Sequence, residues 1–351
     1  MQLADRILMS APVRFAKRVL GRILSARRPG GEPEPAPEEV GSSPPVTGAV
    51  AGDPPAHYVV VFQFGKVASS AIVDSLDRLP GVSAVQSHFL GAEMLQEILE
   101  QLLYPGGADY FYQHRLGQFV ENIRVTREIN AFRAGLRPGT RFTLVSVTRE
   151  PLDWLRASLV QDLQGYLTGF AALGRHWGLS PDTEEELIRA VLPRLLGTIA
   201  ARLDEAGGPD AFLSGPRDWS RLIESTGDAE SDLFLATFAA MTLLPISWFY
   251  AHFGAAAGAE VDQLESVEQG LCFHAAPGWC ELYVLRYERV EEGICWVAER
   301  LGLEGFELER VNESREKPHA QVVAAVCAGP EAAALRAQHL RSRYCRQFGY
   351  A

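Results

Sequence analysis

Tyr58-Val-Val-Val-Phe-Gln-Phe-Gly-Lys-Val-Ala-Ser-Ser-Ala-Ile72 decides how this chain folds. Tyr58 to Phe62 is an unbroken run of β-branched and aromatic residues, the pattern of a strand buried on both faces. Gly65 centres a short turn, and a helix opens at Ser69 or Ser70. A helix that begins straight after a strand presents unpaired N–H groups and the positive end of its dipole, which suits an anion. Lys66 adds a cation to the turn, and the hydroxyls of Ser69 and Ser70 can donate to the same anion. The ATP-magnesium version of such a loop needs Gly-x-x-x-x-Gly-Lys followed at once by Ser or Thr. Here Val60 takes the place of the first glycine and Val67 follows the lysine, so an anion site without metal is expected.

A second segment points the same way. Phe142 to Thr148 reads as another buried strand, and Arg149-Glu150-Pro151 follows it, with Pro151 suited to the first turn of a helix through Leu163. Arg149 therefore stands at the C-terminal end of a parallel strand, the edge where open α/β sheets bind ligands. These two segments resemble the sulfotransferases that use 3′-phosphoadenosine-5′-phosphosulfate (PAPS), and most of all the bacterial sulfotransferase-like proteins of capsular polysaccharide synthesis. The resemblance implies that Gly65, Lys66, Val67, Ala68, Ser69 and Ser70 form the loop around the 5′-phosphosulfate, with Lys66 steadying the bridging oxygen. It implies that Arg149 grips the 3′-phosphate. The chain departs from the family pattern at Ala68, which replaces a glycine, and at Glu150, which replaces Asp or Asn. Trp154 replaces an arginine common in many members, and the helical serine falls at Ser158, one place late.

The rest of the chain frames these motifs. With 351 residues, 47% of them hydrophobic, it can bury a large core, and five cysteines (272, 280, 295, 327 and 345) without a secretory signal fit reduced thiols in a cytoplasmic protein. A formal net charge of −11 argues against nucleic acid as a partner. Residues 1–28 carry seven Lys and Arg against Asp5 alone, with Phe15, Val19 and Ile23 on one stripe. A basic amphipathic helix making peripheral contact with an anionic membrane and a solvated arm are both compatible with that pattern. Residues 29–56 have linker composition, and the folded domain is expected over 57–351.

Gly81 to Leu90 reads as a second strand ending at His88, and Glu281 to Glu288 as a third convincing one, like the Arg-Tyr-Glu strand beside the cofactor in many sulfotransferases. Helices are expected over 94–103, 113–132, 291–301 and 331–344, with an apolar helix over 234–253 interrupted at Pro245. Ser180-Pro181 reads as a helix start ahead of Glu184, Glu185 and Glu186. Cys272, His274 and Cys280 fit no standard zinc spacing and read as core thiols and a loop histidine. Asn312 and Lys317 loosely match a C-terminal element of the capsule-associated relatives, although a surface loop is the stronger reading.

The resulting expectation is a three-layer α/β/α domain with a central parallel sheet, similar to the P-loop nucleotide-binding fold and carrying large helical insertions. The resemblance implies a PAPS-dependent sulfotransferase acting without metal on a hydroxyl acceptor, a carbohydrate or polysaccharide. His88 is the expected base, because histidine titrates near neutrality and this one ends a strand on the ligand edge; a histidine follows the second strand in several carbohydrate sulfotransferases. A nucleotide-dependent phosphotransferase and a non-catalytic binding protein on the same scaffold stay open as alternatives.

Overall fold

The computed structural model of the chain describes residues 55–102, 109–215, 218–309 and 317–351. The basic arm at 1–28, residues 29–54 of the 29–56 linker and Asn312 lie outside the described residues. β1 (His57–Phe62), α1 (Ser69–Asp77), β2 (Val82–Ser87), α2 (Gly91–Leu102), α3 (Asp109–Arg133), β3 (Arg141–Thr148) and α4 (Pro151–His176) follow in order. After further helices come β4 (Glu265–Val267), β5 (Cys272–Ala275) and β6 (Glu281–Arg286), joined in one six-stranded sheet of order β2-β1-β3-β6-β5-β4.

The centre of the sheet is parallel as expected, and two antiparallel strands that the sequence reading did not include extend one edge. β2, β1, β3 and β6 run parallel, whereas β5 and β4 are antiparallel to their neighbours. Connection length decides this: only residues 276–280 separate β5 from β6, and a parallel pair needs a crossover of a dozen residues or more. The parallel strands are joined by helices instead.

Strand alternation assigns the helices to two layers. Tyr58 and Phe62 share a face of β1; the ring of Tyr58 lies 5.9 Å from Phe132 of α3, and Phe62 lies 4.6 Å from Trp248. On the other face, Tyr283 of β6 meets Trp296 at 6.1 Å; that tryptophan belongs to the helix Val290–Leu301, whose Gly293 packs on Leu285. β1 connects outward to β2, and the chain then crosses back over β1 to reach β3. Right-handed crossovers in opposite directions put their helices on opposite faces, so a three-layer α/β/α arrangement follows.

The long segment between β3 and β6 is helical until β4, as the sequence suggests. α4 begins as expected, with Pro151 in its first turn and the Glu150 carboxylate accepting from the Asp153 N–H at 2.8 Å. The next helix, Glu184–Glu205, is capped by Thr183 and not by Ser180-Pro181. Thr183 Oγ1 accepts from Glu186 N at 3.2 Å, while the Glu186 carboxylate reaches back to the N–H of Asp182. The apolar segment around Pro245 bends by 72° between Phe234–Thr242 and Leu244–Ala257, because proline lacks the N–H that would continue the ladder. Phe238, Phe249 and Phe253 of this segment are buried in the core. No single helix among the described residues is long and apolar enough to cross a membrane. The expected closing helix is two, Pro330–Leu340 and Arg343–Gln347, parted where Ser342 caps the second through the Cys345 N–H.

His339, at the end of Pro330–Leu340, is fully buried, and neither ring nitrogen has a hydrogen-bonded protein partner; a backbone group of Thr242 lies near it but outside bonding geometry. Burial holds its imidazole neutral, with the pKa lowered to about 3. Below the ordinary value near 6.5 the unfolded chain takes up a proton that the folded chain refuses, so this group lowers stability as pH falls from about 6.5 towards 3 and has no effect above. His339→Leu should raise the melting temperature, by a stabilisation of about 1–3 kcal/mol from removing unpaired buried polar atoms. It should also flatten the acid limb of stability against pH, read by thermal unfolding from pH 4 to 8.

Candidate anion-binding site

Because β1, β2, β3 and β6 are parallel, their C-terminal ends meet on one edge. β1 and β3 are neighbours whose outgoing connections run to opposite sides, so a crevice opens between them at the point where strand order reverses. The turn at Gly65 leaves β1 on one side of this crevice, and Arg149 leaves β3 on the other. The two motifs lie 83 positions apart in the sequence, and the fold brings them into contact.

The backbone from Gly65 to Ala68 is unusual. Gly65, Lys66 and Ala68 have φ of 97°, 61° and 61°, the left-handed region. Alternating backbone of this kind gathers successive N–H groups into an anion-holding concavity. The loop carbonyls are tied down from behind. Gly65 O accepts from Trp154 Nε1 at 2.9 Å, and Lys66 O accepts from Arg149 Nη1 at 2.8 Å. Trp154 thus braces the loop from α4, a role that its place in the sequence did not reveal. α1 then starts at Ser69, with its first intrahelical bond from Ile72 N to Ala68 O.

Arg149 is only partly exposed, and burial lowers its pKa without removing its charge. Its guanidinium lies 4.0 Å above the ring of Tyr287. Strand register explains this stack: Thr148 pairs with Arg286, so the next residues, Arg149 and Tyr287, emerge side by side. Arg149 Nε is buried and has no hydrogen-bond partner, and no carboxylate lies within 4 Å of the guanidinium among the described residues. Asp153 and Glu288 act on it from farther away, as does the like charge of Arg156. Glu150 turns inward as the α4 cap, where burial pushes its carboxyl pKa up and Arg336 faces it at 3.6 Å.

His88 follows β2 beside the loop. Its Nδ1 lies 2.8 Å from Gln63 O and 3.0 Å from Gln63 Nε2, and its Nε2 lies 3.0 Å from Gln86 Nε2. Gln63 Nε2 donates to Ser69 Oγ at 2.7 Å, its Oε1 accepts from Gly65 N, and Ser70 Oγ donates to Gln86 Oε1 at 3.2 Å. Each ring nitrogen thus faces an amide nitrogen, and Nδ1 also faces the Gln63 carbonyl oxygen, which accepts when the proton is on Nδ1. Two glutamines therefore join His88 to both serines of the loop. Neither was a candidate from the sequence, where the signal is faint: Gln63 is a fully buried polar residue at the end of an apolar strand.

The remaining expected residues are less central. Val67 is buried, and Ser158 on α4 exposes 1% of its surface. Lys317 is exposed. Cys272 and Cys280 are buried, with thiol pKa values pushed up to about 12 by desolvation, and His274 Nε2 pairs with Glu281 at 2.6 Å. No group of three or more His, Cys, Asp or Glu among the described residues could hold a metal ion. A cleft of about 570 Å³ opens at the opposite, N-terminal edge of the sheet, between Arg141, Phe142, Trp279 and Arg300, and contains none of the expected site residues. Compared with protein-family models, curated proteins and solved structures, the chain matches none.

Left-handed backbone costs a residue with a Cβ about 1–2 kcal/mol, and Ala68 sits there at φ 61°, ψ 20° as the α1 N-cap. Ala68→Gly relieves that cost but adds up to about 1 kcal/mol of chain entropy in the unfolded state. Stability should therefore stay level or rise by up to about 1 kcal/mol, measured by chemical unfolding. A loss above that would show that the loop does not hold this geometry.

Proposed function

We propose that the chain is a PAPS-dependent sulfotransferase on a P-loop-like nucleotide-binding fold, transferring a sulfuryl group to a hydroxyl of a carbohydrate acceptor. The observation that carries this reading is Arg149: a desolvated guanidinium with an unpartnered Nε, bonded across the crevice to the backbone of the loop that ends in Lys66, Ser69 and Ser70. Such a pair of cationic positions on adjacent strand ends fits one ligand with two anionic groups. PAPS would supply that ligand and the sulfuryl group. In this assignment the loop N–H groups and the two hydroxyls hold the 5′ end, and Arg149 holds the 3′-phosphate by a charge-assisted fork.

Lys66 contributes most after binding, because negative charge gathers on the leaving oxygen as the sulfur–oxygen bond breaks. The acceptor hydroxyl forms the new bond to sulfur and must lose its proton to a base. His88 Nε2 is the lone pair suited to that task, with Nδ1 held by Gln63 O. Gln86 covers Nε2 at 3.0 Å, so its amide must move aside first. Ser158, buried on α4, and Ala68 in place of the family glycine favour a second reading, a non-catalytic binding protein on the same scaffold.

Thermal-shift titration with 3′-phosphoadenosine-5′-phosphate (PAP), ATP-magnesium and AMP tests the assignment through ligand-linked stabilisation. PAP should stabilise most. Arg149→Ala should cost PAP about 1.5–3 kcal/mol more than it costs AMP, which lacks the 3′-phosphate and loses only the bracing of the loop at Lys66 O. Equal losses for both ligands would remove Arg149 from that role.

Once an acceptor is found, Lys66→Ala should lower turnover far more than it weakens PAP binding. His88→Ala should remove one ionisation from the pH–rate profile. Full turnover in Lys66→Ala would overturn the mechanism, and absence of any turnover in the wild type would leave the binding reading.

A further inference from the structure

A pair of tyrosines in the last described segment addresses the Arg149 junction from behind. Tyr344, in the helix Arg343–Gln347, is fully buried, and its hydroxyl meets both backbone groups of Arg149. It accepts from Arg149 N at 3.1 Å and donates to Arg149 O at 2.9 Å. The need for such a partner is local. The β3–β6 ladder ends at Thr148 with Arg286, so the peptide groups of Arg149 lie just beyond their last strand partner, in a partly buried place. One phenol serves as both donor and acceptor there, as a neighbouring strand would.

The phenol is itself held in position. Its ring packs against Phe249 at 5.4 Å, Phe348 at 5.1 Å and Tyr350 at 6.0 Å. Burial raises the Tyr344 pKa well above its ordinary value, so the hydroxyl keeps the proton it donates. Tyr350 repeats the device one step back: its hydroxyl lies 3.0 Å from Thr148 Oγ1 and 3.1 Å from Glu288 Oε2, with Arg286 over its ring at 4.7 Å. The residues on either side of the strand end are thus pinned by phenols reached about 200 positions later in the chain.

We propose that Tyr344 is a positioning residue for Arg149: by fixing its peptide groups it aims the guanidinium into the crevice between Lys66 and Tyr287, and Tyr350 supports it through Thr148. This rests on Arg149 being the group that grips a 3′-phosphate. The backbone at Arg149 sets the starting direction of a long side chain, and a swing at its Cα moves the guanidinium by several times as much. A pre-aimed arginine loses less freedom when an anion arrives, so removing the aim costs affinity for that anion alone.

The test uses the full chain. Tyr344→Phe keeps the ring packing and deletes both hydrogen bonds. Amide hydrogen exchange should show faster exchange at Arg149 than in the wild type, and PAP affinity should fall about tenfold while AMP affinity changes less than about twofold. Equal losses for PAP and AMP would overturn the proposal, since that is the signature of a merely structural residue. Unchanged exchange at Arg149 would also overturn it, even with wild-type preference for PAP intact. A wild-type protein that does not prefer PAP to AMP is a different failure: it ends the 3′-phosphate reading of Arg149 and the aiming role that depends on it. If Tyr344→Phe does not fold, Tyr350→Phe carries the same comparison, with a smaller PAP-selective loss expected and a PAP affinity equal to wild type counting against the proposal.

Discussion

The bond from Arg149 Nη1 to Lys66 O, 2.8 Å long, closes the crevice at the strand-order reversal and sets the shape of everything around it. It draws a loop carbonyl towards a cation, and the Trp154 indole does the same to the carbonyl of Gly65. With those oxygens committed, the loop holds left-handed backbone at Gly65, Lys66 and Ala68 ahead of the first turn of α1, and Gln63 Oε1 takes the Gly65 N–H. The geometry therefore requires two donors from outside the loop, and both come from the β3–α4 junction.

Holding a guanidinium in a desolvated place is costly, and the surroundings of Arg149 offset the cost in pieces. Tyr287 offers its π-face, Lys66 a carbonyl, and Glu288 and Asp153 a diffuse negative field. None of these is a carboxylate in direct contact. A bidentate acid at that position would stabilise the arginine more, yet it would also occupy the donors an incoming anion needs. Beneath the junction the rings of Phe64, Trp154, Trp248, Phe249 and Tyr344 form a continuous aromatic floor. Such rings restrict the motion of what stands on them, which is how a loop carrying strained backbone keeps one conformation.

Strands buried on both faces announce themselves as apolar runs, so β1, β3 and β6 were legible, as were the helix starts at Ser69 and Pro151. β4 and β5 were not. They are three and four residues long, carry Glu265 and His274, and exist because a hairpin returns to β6. The Thr183 cap was hidden because Ser180-Pro181 offers the same chemistry three residues earlier, and only the reach of Glu186 back to Asp182 decides between them. The site divides along the same line. Lys66, Ser69, Ser70 and Arg149 belong to local motifs and could be read from spacing. Gln63, Gln86, Trp154 and Tyr344 matter chiefly through partners that the fold brings near from 16 to 195 positions away. No local pattern encodes such a distance.

Charge is arranged in this protein by backbone direction more than by composition. The chain carries a formal net charge of −11, and a cleft with guanidinium groups lies on the other edge of the sheet. In a parallel sheet, however, each strand end is followed by a helix start on the same edge, so α1 after β1 and α4 after β3 both turn their positive ends to the crevice. Each helix start carries roughly half an elementary charge from peptide dipoles; at α4 the capping Glu150 carboxylate offsets part of it, whereas α1 has no side-chain cap. Lys66 and Arg149 add their side-chain charge to that backbone field on the same edge. The protein can thus be acidic over its surface and still hold one edge of its sheet electropositive where β1 and β3 part.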